Sequence, residues 1–233
     1  MRWTYLAIDF FTILVPLVFS FHPKLNFYKN FRYFGIACLF TSSIFICWDI
    51  YFTKIGVWGF NKDYIYGVYL WNLPLEEILF FICIPFSCLF TYHCLQLFYA
   101  IEWVRGTKNF VNIFLIVVLV AIGSFNYQKL YTSVTFISTA FVLIVCAFYF
   151  KVKWLHKLIS IYPILLIPFF IVNGILTGTG IEHPVVWYND QQNLGIRLLT
   201  IPIEDIFYGF ELILINVFFY EYAKEKALQR NIR

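Results

Sequence analysis

The sequence predicts an all-α integral membrane protein of about seven transmembrane helices, arranged as two parallel three-helix repeats joined by a linker helix. Three observations lead there. The chain is 61% hydrophobic and only 13% charged, whereas a soluble domain carries about 25% charged residues, so no water-facing surface can be built from it. Apolar stretches close to the ~20 residues that cross a hydrocarbon core recur along the whole length. Finally, Pro74-Leu75-Glu76-Glu77 returns further along as Pro202-Ile203-Glu204-Asp205, so that position 74 answers to position 202.

The expected spans are Trp3–Phe21, Phe31–Thr53, Leu73–Leu95, Phe110–Phe125, Tyr131–Phe150, Leu155–Leu176 and Thr200–Tyr222. The first is read as a helix rather than a signal peptide, because Arg2 is its whole basic flank and no small-residue cleavage site follows. Sliding the chain by the offset that carries Pro74 onto Pro202 lays the first span on the fifth, the second on the sixth and the third on the seventh. The expected organisation is therefore 1–99 as a first three-helix repeat and 100–130 as a linker containing the fourth helix. A second repeat occupies 131–223, and 224–233 forms a basic cytoplasmic tail. An extra helix between two three-helix units gives both the same direction in the membrane, which would set both acidic motifs at one face and allow a single shared site. Pro16, Pro85, Pro163 and Pro168 fall inside spans, where membrane helices tolerate them.

Orientation follows from basic residues in the connections, since cytoplasmic loops retain Lys and Arg. Lys24, Lys29, Arg32, Arg105, Lys108, Lys151, Lys153, Lys157, Lys224, Lys226, Arg230 and Arg233 fall on one side, and Arg2, Lys54, Lys62, Lys129 and Arg197 on the other. Twelve against five places the C-terminus in the cytoplasm and the N-terminus outside. The net charge of +4 is spread over connections rather than gathered on a solvated face, which argues against nucleic acid as a partner.

The six cysteines, Cys38, Cys47, Cys83, Cys88, Cys94 and Cys146, lie in apolar runs and form no ligand pattern with the four histidines; they read as packing residues. His93 and His183 are lone and receive no ligand role. Gly178-Thr179-Gly180 lacks the third glycine of a dinucleotide loop, and no phosphate loop, zinc signature or Ser–His pattern occurs. No cofactor or metal is expected. Aspartate-rich magnesium motifs and a lysine in the last span are also missing, against a prenyltransferase and a retinal protein.

The chemistry-bearing candidates are Asp9, Asp49, Glu76, Glu77, Glu204, Asp205 and Glu211, all within or at the edge of spans. An ionised side chain at the centre of a bilayer costs at least about 2.5–3.5 kcal/mol, so such groups are protonated, hydrogen-bonded or face a cavity. A buried carboxyl beside a second one can hold a proton at neutral pH and deliver it. The plain alternative is that acids after a proline in a first turn merely complement the helix dipole; duplication of the motif weighs against it. Adjacent residues point about 100° apart on a helix, so one member of each pair is expected to face inward. Glu76 and Glu204 are preferred, because Glu211 lies seven residues beyond Glu204 on nearly the same face. Asp49 and Asn173 are placed to hydrogen-bond the motif acids, the plain alternative being an ordinary interhelical polar contact. Asp9 has no acidic counterpart in the fifth span and reads as structural.

Aromatic residues make up 23% of the chain. Beyond interfacial belts, rings around a dry cavity stabilise a carbocation by about 2 kcal/mol or more each. Trp58, Tyr64, Trp71, Trp187 and Tyr188 flank the acids in sequence and are the candidates. Trp58 and Trp187 stand in corresponding loops, their spacing to the motif differing by one residue.

Trp48-Asp49, Gly56-Val57-Trp58-Gly59-Phe60-Asn61 and Leu73-Pro74-Leu75-Glu76-Glu77 resemble the membrane-integral lycopene cyclase domain. Asn193-Leu194-Gly195-Ile196-Arg197 leading into Ile201-Pro202-Ile203-Glu204-Asp205 resembles the partner unit of the same family, so that the chain is similar to its fused bacterial form over nearly its full length. The resemblance implies a cofactor-free lycopene β-cyclase, an isomerase closing the open ψ-ends of lycopene into β-rings. An acid protonates the terminal alkene, the neighbouring alkene attacks the cation, and a base removes a proton. Glu76 and Glu204 are then expected as acid and base, with Glu77 and Asp205 supporting or substituting. Asp49, Trp58, Trp71, Asn173, Trp187, Tyr188, Arg197 and Glu211 are expected around the substrate, with Arg197 pairing with a motif acid. The implied partners are lycopene or a related linear carotenoid and the lipid bilayer, with other carotenoid-pathway enzymes or a second copy as candidate protein partners. The implied location is a bacterial plasma membrane. Taken without the resemblance, the buried acids also fit a carrier of protons or small cations, or a non-catalytic carotenoid-binding subunit.

Overall fold

The computed structural model describes residues 2–99 and 101–232, with side chains through Arg230. Residue 100, at the start of the expected linker, and Arg233, one of the twelve basic residues assigned to the cytoplasmic side, lie outside the described residues. Seven α-helices occur among the described residues: α1 (Thr4–Phe19), α2 (Phe31–Lys54), α3 (Leu75–Phe98), α4 (Lys108–Phe125), α5 (Leu130–Ile144), α6 (Leu155–Leu176) and α7 (Ile203–Ile232). Among the described residues five apolar segments, containing α2 to α6, are long enough to cross a membrane by length and composition, and this marks the chain as a membrane protein. With 16 residues, α1 is roughly 24 Å long.

The differences from the expected spans have local causes. Instead of starting at Leu73, α3 starts at Leu75, because Leu73–Pro74 pair with Tyr69–Leu70 in a hairpin and Pro74 is extended (φ −64°, ψ 150°). The fifth span reaches Tyr149 only through a widened π turn, Val145–Tyr149. The basic tail expected after Tyr222 continues α7 as helix, since Ala223-Lys224-Glu225-Lys226-Ala227-Leu228-Gln229 is a run of strong helix formers with no breaker. The four prolines lie inside α1, α3 and α6.

The described residues form two compact units. One comprises those of Met1–Phe52, Lys62–Tyr99 and Leu212–Arg233, and the other Thr53–Asn61 and those of Ala100–Glu211. In the first, α1 packs along α3, Ser87 donates to the Thr12 carbonyl at 2.9 Å, and the distal part of α7 meets α2 through Phe40–Phe219 and Tyr33–Tyr220 ring contacts. In the second, α4 and α5 form an antiparallel pair in which Gly123 lets α4 approach Ile137 and Phe136 of α5.

Six short strands among the described residues carry the duplication at single-residue resolution. β2 (Tyr69–Leu70) pairs with β3 (Leu73–Pro74), and β5 (Arg197–Leu198) with β6 (Ile201–Pro202). Every partner in the second hairpin is the first-hairpin partner displaced by the same offset that carries Pro74 onto Pro202. The bonds from Leu75 N to Val68 O and from Ile203 N to Ile196 O are related by that shift too, at 2.9 and 3.0 Å. Trp71 (φ 55°) and Leu199 (φ 58°) occupy the left-handed region at equivalent turn positions, a conformation rare for bulky residues.

The strands β1 (Trp58–Phe60) and β4 (Val186–Tyr188), both in the second unit, pair with Trp58 opposite Tyr188, Gly59 opposite Trp187 and Phe60 opposite Val186. This ribbon maps onto itself under the repeat shift, with Gly59 and Trp187 at its centre. Trp58 therefore corresponds to Val186, and the two loop tryptophans are not equivalent. A Cβ on Gly59 would lie 2.7 Å from Trp187 Cε2. We expect Gly59→Ala to destabilise the ribbon by about 1–3 kcal/mol, the range for overpacking. Thermal unfolding in detergent would measure it, and Trp187→Ala in the same chain should recover most of the loss, because the clash requires both side chains.

Candidate active site

Each acidic motif opens a helix just after a hairpin, and the hairpin fixes the acids. Glu76 Oε1 accepts the Tyr66 backbone N–H at 2.6 Å, and Glu204 Oε1 accepts that of Leu194 at 2.7 Å. The two bonds are again related by the repeat shift. Thr132 of α5 adds its hydroxyl to Glu204 Oε1 at 2.6 Å. One oxygen of each glutamate thus closes the loop that precedes its helix, which is the plain helix-start role. The other oxygen does not: Glu76 Oε2 and Glu204 Oε2 are buried without a hydrogen-bond partner.

The neighbouring acids turn to the other side, as the ~100° step of a helix requires, yet they are buried too: Glu76, Glu77, Glu204 and Asp205 are 1%, 7%, 0% and 4% exposed. Glu77 Oε2 accepts the Tyr5 hydroxyl of α1 at 2.6 Å. Asp205 Oδ1 accepts the Tyr131 hydroxyl of α5 at 2.5 Å, while Oδ2 accepts Asn173 of α6 at 2.7 Å and the Tyr188 hydroxyl at 2.9 Å. A tyrosine near the start of the first helix of each repeat thus holds the second acid of its motif.

Around Asp205 the rings gather. Trp58 lies 5.1 Å from Tyr131, 6.2 Å from Tyr188 and 6.1 Å from Tyr208 between centroids, and Tyr131 stacks on Tyr188 at 5.8 Å and 17°. Trp58 is brought there by the β1–β4 ribbon. The arrangement joins a carboxyl holding three hydrogen bonds to π-faces and hydroxyls, which can accept a proton and stabilise a cation.

Of the residues expected from sequence, Asn173, Trp58 and Tyr188 join Asp205. Asp49 is buried and acts electrostatically on the Tyr5 hydroxyl, so it belongs to the surroundings of the first pair. Glu211 accepts Ser138 and Thr139 of α5 at 2.8 and 2.9 Å, on the Glu204 side of α7. Tyr64 is buried, and its carbonyl receives the Tyr5 N–H. Trp71, 73% exposed at a hairpin turn, is not brought to either pair. Trp187 lies over Gly59 and is half-exposed.

Arg197 departs from expectation: it pairs with Asp190 at 2.5 Å and donates to the Thr200 carbonyl at 2.8 Å, rather than meeting a motif acid. The reason is the hairpin, which places β5 beside the 189–193 turn. Burial works to raise the Asp190 carboxyl, but hydrogen bonds from Arg197 and Asn193 and the guanidinium charge overcome it and hold it below the usual carboxylate range. A lowered folded value gives a stabilising contribution that is complete above the unfolded pKa, about 3.9 for aspartate, and is lost as pH falls through the folded value. The pair is largely exposed, so the effect is local. Limited proteolysis of the 189–199 loop should accelerate as pH falls below about 3.9 in the native chain, and Arg197→Leu should flatten that dependence.

Tyr5, Tyr131, Tyr208 and Thr132 are members of the two sites that nothing in the sequence singles out. The signal was present in part, since the two tyrosines Tyr5 and Tyr131 stand near the starts of corresponding helices, but a tyrosine at a membrane edge reads first as belt.

The lycopene cyclase family model matches the chain in two segments, residues 2–95 and 128–223. These segments contain both hairpins, both acid pairs and both tyrosines. Searches of curated proteins and of solved structures return no match. By the extent of the family match, which covers most of its length in two parts that coincide with the duplicated motifs, the chain belongs to the lycopene cyclase family.

Proposed function

We propose that this protein is a lycopene β-cyclase, a cofactor-free isomerase converting the ψ-ends of lycopene or a related linear carotenoid into β-rings. The observation that carries the reading is the recurrence, in both halves at corresponding positions, of two unlike buried carboxyls side by side. In each half a glutamate keeps one unpartnered oxygen, and its neighbour accepts hydrogen bonds from side chains.

Glu76 and Glu204 are here both assigned as proton donors, in place of the acid-and-base division between them expected from the sequence. Glu77 and Asp205 receive the ring proton, Asp205 with the better support because it accepts three hydrogen bonds beside the Trp58–Tyr131–Tyr188–Tyr208 cluster. The donor gives its proton to the terminal alkene, leaving a tertiary cation. The next alkene's electron pair forms the ring bond and moves the charge onto the ring. The acceptor then takes the adjacent ring proton, and those C–H electrons become the ring double bond. One proton enters and one leaves, so substrate and product are isomers.

In this reading all seven helices span a bacterial plasma membrane, the N-terminus lies outside and the C-terminus in the cytoplasm. The 1–99 and 131–223 segments are parallel repeats, 100–130 links them and 224–233 is the cytoplasmic tail. Expression in a bacterial host that accumulates lycopene, followed by chromatography of the pigments, tests the activity. γ- or β-carotene is expected only with the chain present, and their ratio gives the number of ends closed. Lycopene unchanged despite membrane expression would refute the reading and favour proton or cation flux as the next assay.

A further inference from the structure

Asp9 of α1 is 2% exposed, and neither carboxyl oxygen has a hydrogen-bond partner. It stands one helical turn beyond Tyr5, whose hydroxyl binds Glu77, and residues four apart share a helix face. It therefore points at α3, where its electrostatic partners are Glu77 and Glu76, and it acts in turn on the Cys83 thiol. Tyr5 and, through it, Asp49 complete the titratable surroundings. A buried acid without any hydrogen bond is costly, and packing alone would favour an apolar residue.

The second repeat also places a carboxyl beyond its acid pair, but on the opposite helix. Cys83 lies seven residues after Glu76, and Glu211 seven after Glu204, so the repeat shift superposes cysteine on glutamate. The same shift takes Asp9 to Ile137, which packs on Gly123 of α4, so the fifth helix carries no carboxyl there and offers the Ser138 and Thr139 hydroxyls to Glu211 instead. Asp9 on the first helix acts on Cys83 of the third in one half, and in the other half Glu211 on the last helix accepts Ser138 and Thr139 of the fifth. The carrier helix changes and the carboxyl remains, as expected if the acid itself is required.

We propose that Asp9 is a proton-holding group of the first repeat, accepting the proton left on Glu77 after ring closure and returning it to Glu76 before the next turnover, with Glu211 its exchanged counterpart in the second repeat. The cycle needs such a step because the donor ends deprotonated and the acceptor protonated. One proton moves from Glu77 to Asp9 and from Asp9 to Glu76, each transfer requiring a side-chain rotation or one bridging water because Asp9 bonds to neither acid at rest, and nothing else is consumed. The inference rests on the cyclase reading above.

The test uses the full chain in lycopene-loaded membranes. It compares native protein, Asp9→Asn, Asp9→Ser and the double variant Asp9→Ser/Cys83→Glu at matched membrane yield. Asp9→Asn should keep the first turnover and lose at least tenfold in that part of the steady-state rate which Glu76→Gln abolishes. The double variant should return to within threefold of native, whereas Asp9→Ser should not. Difference infrared spectra should lose one protonated-carboxyl band in Asp9→Asn and regain it in the double variant. Steady-state turnover of Asp9→Asn equal to native overturns the proposal. So does a double variant that accumulates yet stays as slow as Asp9→Ser, which would leave Asp9 a matter of packing. Unchanged lycopene with the native chain overturns the cyclase reading instead.

Discussion

Glu76→Gln combined with Glu204→Gln should leave lycopene unconverted, with turnover reduced at least a thousandfold while the protein accumulates in the membrane. Glutamine preserves the shape of the side chain, and its carbonyl oxygen can still accept the Tyr66 or Leu194 N–H that each glutamate accepts. The hairpins should therefore close. What is lost is a transferable proton at Oε2, the atom that is buried without a partner in both halves. General acid catalysis by a positioned group contributes typically about 10²- to 10⁴-fold. The single variants divide the work: a loss confined to one of them assigns donation to that half, and normal rates in both would refute the donor assignment. If the glutamates only close hairpins, the double variant would cyclise lycopene at the native rate.

Asp205→Asn should lower turnover by about a hundredfold, equivalent to ~2.7 kcal/mol of barrier, and Tyr131→Phe by about tenfold, or ~1.4 kcal/mol. The amide removes the proton acceptor and also opposes its own N–H₂ to one of the donors Tyr131, Tyr188 and Asn173. Loss of the Tyr131 hydroxyl keeps the carboxyl and the ring, so the Trp58 contact survives while one of three hydrogen bonds disappears. Pigment formation against time, normalised to membrane protein, measures both. A Tyr131→Phe loss as large as that of Asp205→Asn would mean that the tyrosine takes part in proton transfer itself. A Trp58→Phe variant with near-native rates beside a defective Trp58→Leu would show that a π-face, not bulk, is needed at that position.

The sequence alone was sufficient for the membrane class, the seven helices and the duplication of the acidic motif, because these depend on composition and on periodicity along the chain. A bilayer demands long apolar helices whatever their neighbours, and the proline and acids return at one offset although the turn residues themselves differ. The acid pairs were legible for the same reason, since carboxyls in apolar runs are costly enough to stand out. Which residues surround them was decided in three dimensions. Trp58 reaches Tyr131, far along the chain, only because β1 pairs with β4 around Gly59 and Trp187, and no local pattern encodes that pairing. Arg197 sits shortly before Pro202, so sequence proximity suggests a motif acid, but the hairpin turns its guanidinium to Asp190. Asp9 looks isolated in sequence, but helix packing sets it among Glu76, Glu77 and Cys83 of α3. Local order follows from backbone preference and burial, and the site follows from contacts between segments far apart in the chain.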